Sequence, residues 1–126
     1  MVEAIAVLAE RAALEQLTED DVPRLAAEAG LSSGALYDAL HLYLARGYAA
    51  RELPYEFCDR AVNHVMGVTG YDVPDLAWEI FSAFDEGEYY HTPEEQAQEE
   101  DPAEKYTRPW IERVLRQANE GASPKA

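Results

Sequence analysis

The residues of this chain best suited to recognition chemistry stand between positions 85 and 95. They read Asp85-Glu86-Gly87-Glu88-Tyr89-Tyr90-His91, then Glu94-Glu95. Carboxylates set beside tyrosines suit a surface that recognises Lys and Arg. The acids occupy the place a phosphate would take, opposite fields steer the encounter, and aromatic side chains are the usual anchors. Asp85, Glu86, Glu88, Tyr89, Tyr90, Glu94 and Glu95 are therefore the candidate partner-binding residues. The plainer alternative is that Tyr89 and Tyr90 seal the end of a bundle, with their hydroxyls at the surface.

Other chemistry has less to work with. The three histidines, His41, His64 and His91, form no i, i+4 pair with an intervening Glu, so the helical zinc pattern is missing. Asp85, Glu86, Glu88 and His91 could hold a divalent ion loosely, but no spacing fixes a ligand count. Cys58 stands in an apolar helical pattern beside Phe57 and Ala61, which suits an inert buried thiol. Ser32, Ser33 and Ser82 lack nucleophile-elbow glycines, and Gly67 and Gly70 do not make a phosphate-binding loop. We expect no catalytic residues, no metal and no cofactor.

The elements that position these groups must come from 126 residues, enough for one domain with its own core. Apolar residues make up 48% and charged residues 28%, a globular composition. A single cysteine excludes an intramolecular disulfide. Residues 1–10 contain acidic Glu3 and no basic run, so no secretory signal is expected. No apolar stretch approaches the roughly 20 residues of a membrane helix. A soluble cytoplasmic protein with no membrane association is the expectation.

Net charge is −15, and its distribution matters more than its size. Residues 61–104 hold 12 acids and neither Lys nor Arg, while residues 105–126 hold five bases and two acids. Such a field repels phosphate backbones and lipid headgroups and attracts basic surfaces. It also serves solubility without any partner.

Hydrophobic periodicity predicts an all-α, single-domain bundle of five or six short helices, with an acidic loop before the last one. The first helix spans residues 2–17, the second ends at Ala29 before Gly30, and the third runs from Ser33 to a stop at Gly47. A fourth follows Pro54 to about Met66. A fifth, after Pro74, carries Leu76, Ala77, Ile80, Phe81 and Phe84 and is expected to be the most buried. Residues 88–107 read as an acidic loop, with a loosely held short helix over 88–104 as the alternative, because Glu, Asp and Gln dominate them. The last helix runs over residues 108–119. The domain is thus 1–119, with a flexible tail over 120–126.

Two local patterns resemble known families. Leu25-Ala26-Ala27-Glu28-Ala29-Gly30-Leu31-Ser32-Ser33-Gly34-Ala35-Leu36-Tyr37 has the spacing of a helix-turn-helix. It resembles the DNA-binding unit of tetracycline-repressor-type regulators at Ala26, Ala29, Gly30, Leu31, Ser32, Gly34, Leu36 and Tyr37. That resemblance implies a transcriptional regulator. The next residues depart from the family pattern: Asp38-Ala39-Leu40-His41-Leu42-Tyr43 replaces its basic stretch, and Arg46 is the first base of the helix. Phosphate and base contacts want more than that.

In the other half, Glu52-Leu53-Pro54-Tyr55-Glu56-Phe57-Cys58-Asp59-Arg60 opens a helix. Residues 81–90 then form an aromatic, acidic end, and a final amphipathic helix follows. This layout resembles small bacterial immunity proteins of the colicin type, which are acidic and helical and cover the active site of a basic nuclease toxin. The expectation is a non-enzymatic, acidic protein-binding module with a basic protein partner, immunity-like in the concrete version. A helix-turn-helix regulator or an accessory subunit of a complex is the alternative. Nucleic acid is not an expected partner, and oligomeric state is not legible from the residues.

Overall fold

In a computed structural model, which describes residues 1–122, the chain is all helical among those residues. Seven α-helices follow one another: α1 (Val2–Ala13), α2 (Asp21–Ala29), α3 (Ser33–Ala49), α4 (Tyr55–Thr69), α5 (Asp75–Glu86), α6 (Pro93–Ala97) and α7 (Arg108–Ala122). A π-helical turn, Ala103–Thr107, leads into α7. The expected number was five or six. The excess comes from residues 88–107, which are not a plain acidic loop but contain α6 and the π turn. Of the expected tail, residues 120–122 continue α7, and residues 123–126 lie outside the described residues.

Local chemistry sets the helix ends. α1 stops at Ala13, short of the expected Leu17, because Glu15 adopts φ 58° and turns the chain so that Leu17 is buried. Ahead of α2, the Asp21 carboxylate accepts the Thr18 N–H at 2.8 Å and pairs with Arg11 at 3.2 Å. That backbone hydrogen bond is the main reason its pKa falls below the usual range. Gly30 ends α2 at φ 70°, and the Ser32 hydroxyl caps α3 by accepting the Ala35 N–H at 3.1 Å.

α3 runs through Gly47 instead of stopping there. A Cβ at Gly47 would lie 2.4 Å from Leu53 Cδ1, so this glycine makes room for the returning chain and does not end the helix. Gly70, at φ 63°, ends α4. α5 begins after Pro74 with no cap of its own. Asp38 of α3 supplies one across the bundle, its Oδ1 accepting the Ala77 N–H at 3.1 Å.

α3, not α5, is the central helix. It packs against α1, α2, α4, α5 and α7, and it buries Leu36, Tyr37, Leu40, His41, Leu44, Ala45, Gly47 and Tyr48. α5 buries Ala77, Ile80, Ala83 and Phe84 and leaves Trp78 outside. Phe84 is fully buried, with ring centroids 5.3 Å from Tyr48 and 5.9 Å from Tyr55. Burial of one such ring contributes about 1.5–3 kcal/mol. The Tyr55 hydroxyl donates to the Phe84 carbonyl at 2.5 Å. The C-terminal end of α5 is thereby fixed to α3 and α4, and the acidic segment begins on that rigid base. No helix among the described residues is long and apolar enough to cross a membrane.

Candidate partner-binding site

The C-terminal end of α5 and the turn after it carry the acids and tyrosines singled out above. Asp85 and Glu86 are half-buried in the last turn of α5, and Glu88 is exposed just beyond it. Tyr89 and Tyr90 are 49% and 40% exposed. Glu94 is exposed in the first turn of α6. Among the described residues, none of Asp85, Glu86, Glu88 and Glu94 is ion-paired to Lys or Arg. Asp85 is held above its usual range by burial first and then by the charges of Glu88 and Glu86. The Glu86 charge is the main cause raising the Tyr89 phenol. The patch is thus a crowd of like charges with no Lys or Arg counter-ion among the described residues.

Gly87 allows this end to sit close to the rest of the fold. A Cβ there would lie 2.2 Å from Thr107 Oγ1 and 2.9 Å from the Ala103 backbone. Thr107 is fully buried, and its hydroxyl donates to the Ala83 carbonyl at 2.6 Å. The π turn therefore lies directly against the last turn of α5.

Glu95 is placed differently from the other six. It is 4% exposed and turned inward. Its Oε1 accepts the backbone N–H groups of His91 at 2.7 Å and Thr92 at 3.0 Å, and Thr92 Oγ1 accepts the Glu95 N–H at 3.2 Å. That reciprocal pair is a capping box with Pro93 in the first helical turn. Oε2 meets Lys105 Nζ at 2.6 Å and receives the Tyr106 hydroxyl. Those two side-chain bonds, Lys105 first, bring the Glu95 pKa down to about 2. Glu95 fastens the segment and does not face a partner.

The aromatic side chains form a stack. The His91 ring lies between Tyr106, with centroids 3.7 Å apart, and Tyr89, at 4.8 Å. Its Nε2 donates to the Glu86 carbonyl at 2.8 Å and lies 3.1 Å from the Glu86 carboxylate. Tyr89 is therefore held in place before any partner arrives, which lowers the entropy cost of using it as an anchor.

Sequence reasoning missed the neighbours on α4. Asp59 lies in hydrogen-bond contact with Glu88, and Asn63 Nδ2 donates to Asp59 Oδ1 at 3.2 Å and to Glu88 Oε2 at 2.9 Å. Burial, the Glu88 contact and the Asp85 charge push the Asp59 carboxyl up to about 8. The raised carboxyl favours one proton shared between Asp59 and Glu88. The i, i+4 spacing of Asp59 and Asn63 places both on one face of α4, but only the fold brings Glu88 to that face. The clasp residues Lys105 and Tyr106 were also missed; Thr92-Pro93-Glu94-Glu95 carried the signal that would have found this helix start.

The remaining titratable groups lie apart from one another. His41 is fully buried, its Nδ1–H donates to the Tyr37 carbonyl at 2.7 Å, and its Nε2 has no partner. Burial brings its pKa down to about 4. His64 Nε2 donates to the Leu17 carbonyl at 2.9 Å. Cys58 is buried, with Sγ 3.6 Å from the Leu44 carbonyl, and burial pushes its thiol up to about 12. Among the described residues, no three His, Cys, Asp or Glu side chains converge as metal ligands do.

The helix-turn-helix segment has the turn its residues imply, with Gly30 left-handed and Ser32 capping α3. Its second helix is the bundle's centre, with Asp38 bonded to α5 and His41 buried. The open side of α3 is mostly apolar up to the exposed Arg46. Ala39, Leu42 and Tyr43 line a groove of about 650 Å3 shared with Val2, Ile5 and Leu53, and Arg46 and Glu52 line the same groove.

Comparison of the chain with protein-family models, with curated proteins and with solved structures found no match.

Proposed function

We propose that this chain is a non-enzymatic, acidic protein-binding module that docks a basic protein through the C-terminal end of α5 and the turn into α6. In its concrete form it is an immunity-like inhibitor that covers the phosphate-binding surface of a toxin or nuclease. The observation that carries the reading is the group Asp85, Glu86, Glu88 and Glu94, unpaired to any Lys or Arg among the described residues, beside the exposed Tyr89 and Tyr90. Crowded like charges cost stability in the free protein, and a partner's Lys and Arg relieve that cost on binding. The rigid base under α5 and the His91 stack support the same reading, because a preformed surface loses little freedom when it binds.

The regulator alternative has less support. A reading helix must present its side chains to a groove, and α3 turns Tyr37, Asp38 and His41 towards protein.

The test is capture from host lysate at low salt, followed by elution at about 0.5 M salt, where the Debye length is roughly 4–5 Å. The expected eluate is a Lys- and Arg-rich protein. Recovery of DNA, or of a neutral or acidic protein that resists salt, contradicts the reading.

A further inference from the structure

Away from the tyrosine turn, α5 exposes a second aromatic cluster. Trp78 is 45% exposed and Tyr71 58% exposed. The Tyr71 ring centroid lies 6.2 Å from that of Trp78 and 6.1 Å from that of Phe81, and Trp78 and Phe81 are 5.7 Å apart. Phe81 is half-buried and packs against the core, so it ties the two outer rings to the fold. Tyr71 reaches this position with its own backbone at φ 66°, immediately after Gly70 at φ 63°. Such close ring spacing leaves no space for a ligand between the rings, so a ligand would meet the exposed parts of Trp78 and Tyr71.

The charged residues nearest these rings along the chain are all acidic. Asp72 follows Tyr71 in the chain, Asp75 precedes Trp78 by one helical turn, and Glu79 is its neighbour. None of the three is ion-paired among the described residues. An exposed Trp in an acidic field suits one kind of side chain above others. A guanidinium is flat and weakly hydrated; it stacks on an indole face while nearby carboxylates answer its charge. An ammonium gains the Coulomb attraction but stacks less well.

We propose that the Tyr71–Trp78–Phe81 cluster is a second anchor point on this protein, taking an arginine side chain of a basic protein partner. The proposal rests on the reading that the partner is basic, and it adds that arginine in particular is selected at this end of α5.

Octa-arginine and octa-lysine serve as probes, titrated at low salt in a Trp110→Phe background so that Trp78 alone reports by fluorescence. The expected result is about tenfold tighter binding of octa-arginine. Trp78→Ala, followed by calorimetry, should abolish that preference while the helical circular dichroism stays unchanged. Reversal of Asp85, Glu86 and Glu88 to Lys should weaken both peptides and leave the arginine preference intact. Equal affinity for the two peptides, or a preference that survives Trp78→Ala, overturns the aromatic anchor and leaves the acidic surface standing. Failure of both peptides to bind overturns both. A wild-type dimer in sedimentation that Trp78→Ala dissolves makes the occupant a second copy of the chain, which also overturns the proposal.

Discussion

Asp59 on α4 and Glu88 beyond α5 meet carboxyl to carboxyl, a contact that favours a shared proton, and the Asn63 amide donates to both. This contact joins the acidic turn to the body of the bundle and makes the fold sensitive to pH in an unusual direction. The Asp59 carboxyl stands at about 8 in the folded protein, above its ordinary 3.8. The folded state keeps a proton that the unfolded chain releases, so this stabilisation is complete below pH 4 and is lost as pH rises towards 8.

His41 works the other way. Its pKa falls from 6.5 to about 4 on burial, so its contribution is full above pH 6.5 and is lost as pH falls. Between pH 6.5 and 8, where the slope from Asp59 outweighs the fading one from His41, stability should therefore fall. With solvent screening of the half-buried Asp59 allowed for, the loss is about 1 kcal/mol. Asp59→Asn, which copies the protonated carboxyl, should flatten the curve in urea denaturation at the two pH values. A wild-type protein equally stable at both, or a variant with the same slope, contradicts the shared proton.

The capping box predicts a local effect. Thr92→Ala removes the hydroxyl that receives the Glu95 N–H and should cost about 1 kcal/mol. The loss belongs to the α6 segment, so amide exchange should quicken there while amides of α3 and α4 keep their protection. Uniform loss of protection across the chain would show that the segment does not open by itself.

Gly87 tests how closely α5 meets the π turn. Gly87→Ala drives a methyl into Thr107 and the Ala103 backbone, and about 2–3 kcal/mol of destabilisation is expected. A thermal midpoint unchanged from wild type would mean that the two elements are less tightly joined.

Legibility in the sequence followed locality. Gly30 ended α2 as its left-handed preference implies, and Ser32 capped α3 with its own hydroxyl, whereas α4 runs past the expected Met66 and through Gly67 to stop at Gly70. Gly47 was misread because its role is set by Leu53, which the chain brings back after α3 ends. Residues 88–107 read ambiguously, as loop or short helix, because acidic composition outweighed a capping box that lies within four residues. Composition was also blind to the inward turn of Glu95, since Lys105 and Tyr106 come to it only through tertiary packing. Of the expected α5 stripe, Ala77, Ile80 and Phe84 are buried while Leu76 and Phe81 stay half-buried, because a stripe on paper does not say which of its members the neighbouring helices reach.

The central claim is that carboxylates at the end of α5 hold a basic partner, and affinity after charge reversal tests it most directly. With the salt-eluted protein as ligand, binding to wild type should be compared with binding to the Asp85→Lys, Glu86→Lys, Glu88→Lys variant, its helicity checked by circular dichroism. At least tenfold weaker binding by a folded variant, with most of the salt dependence gone, is the expected result. Unchanged affinity in a folded variant would contradict it and leave the acidic segment as a solubility feature.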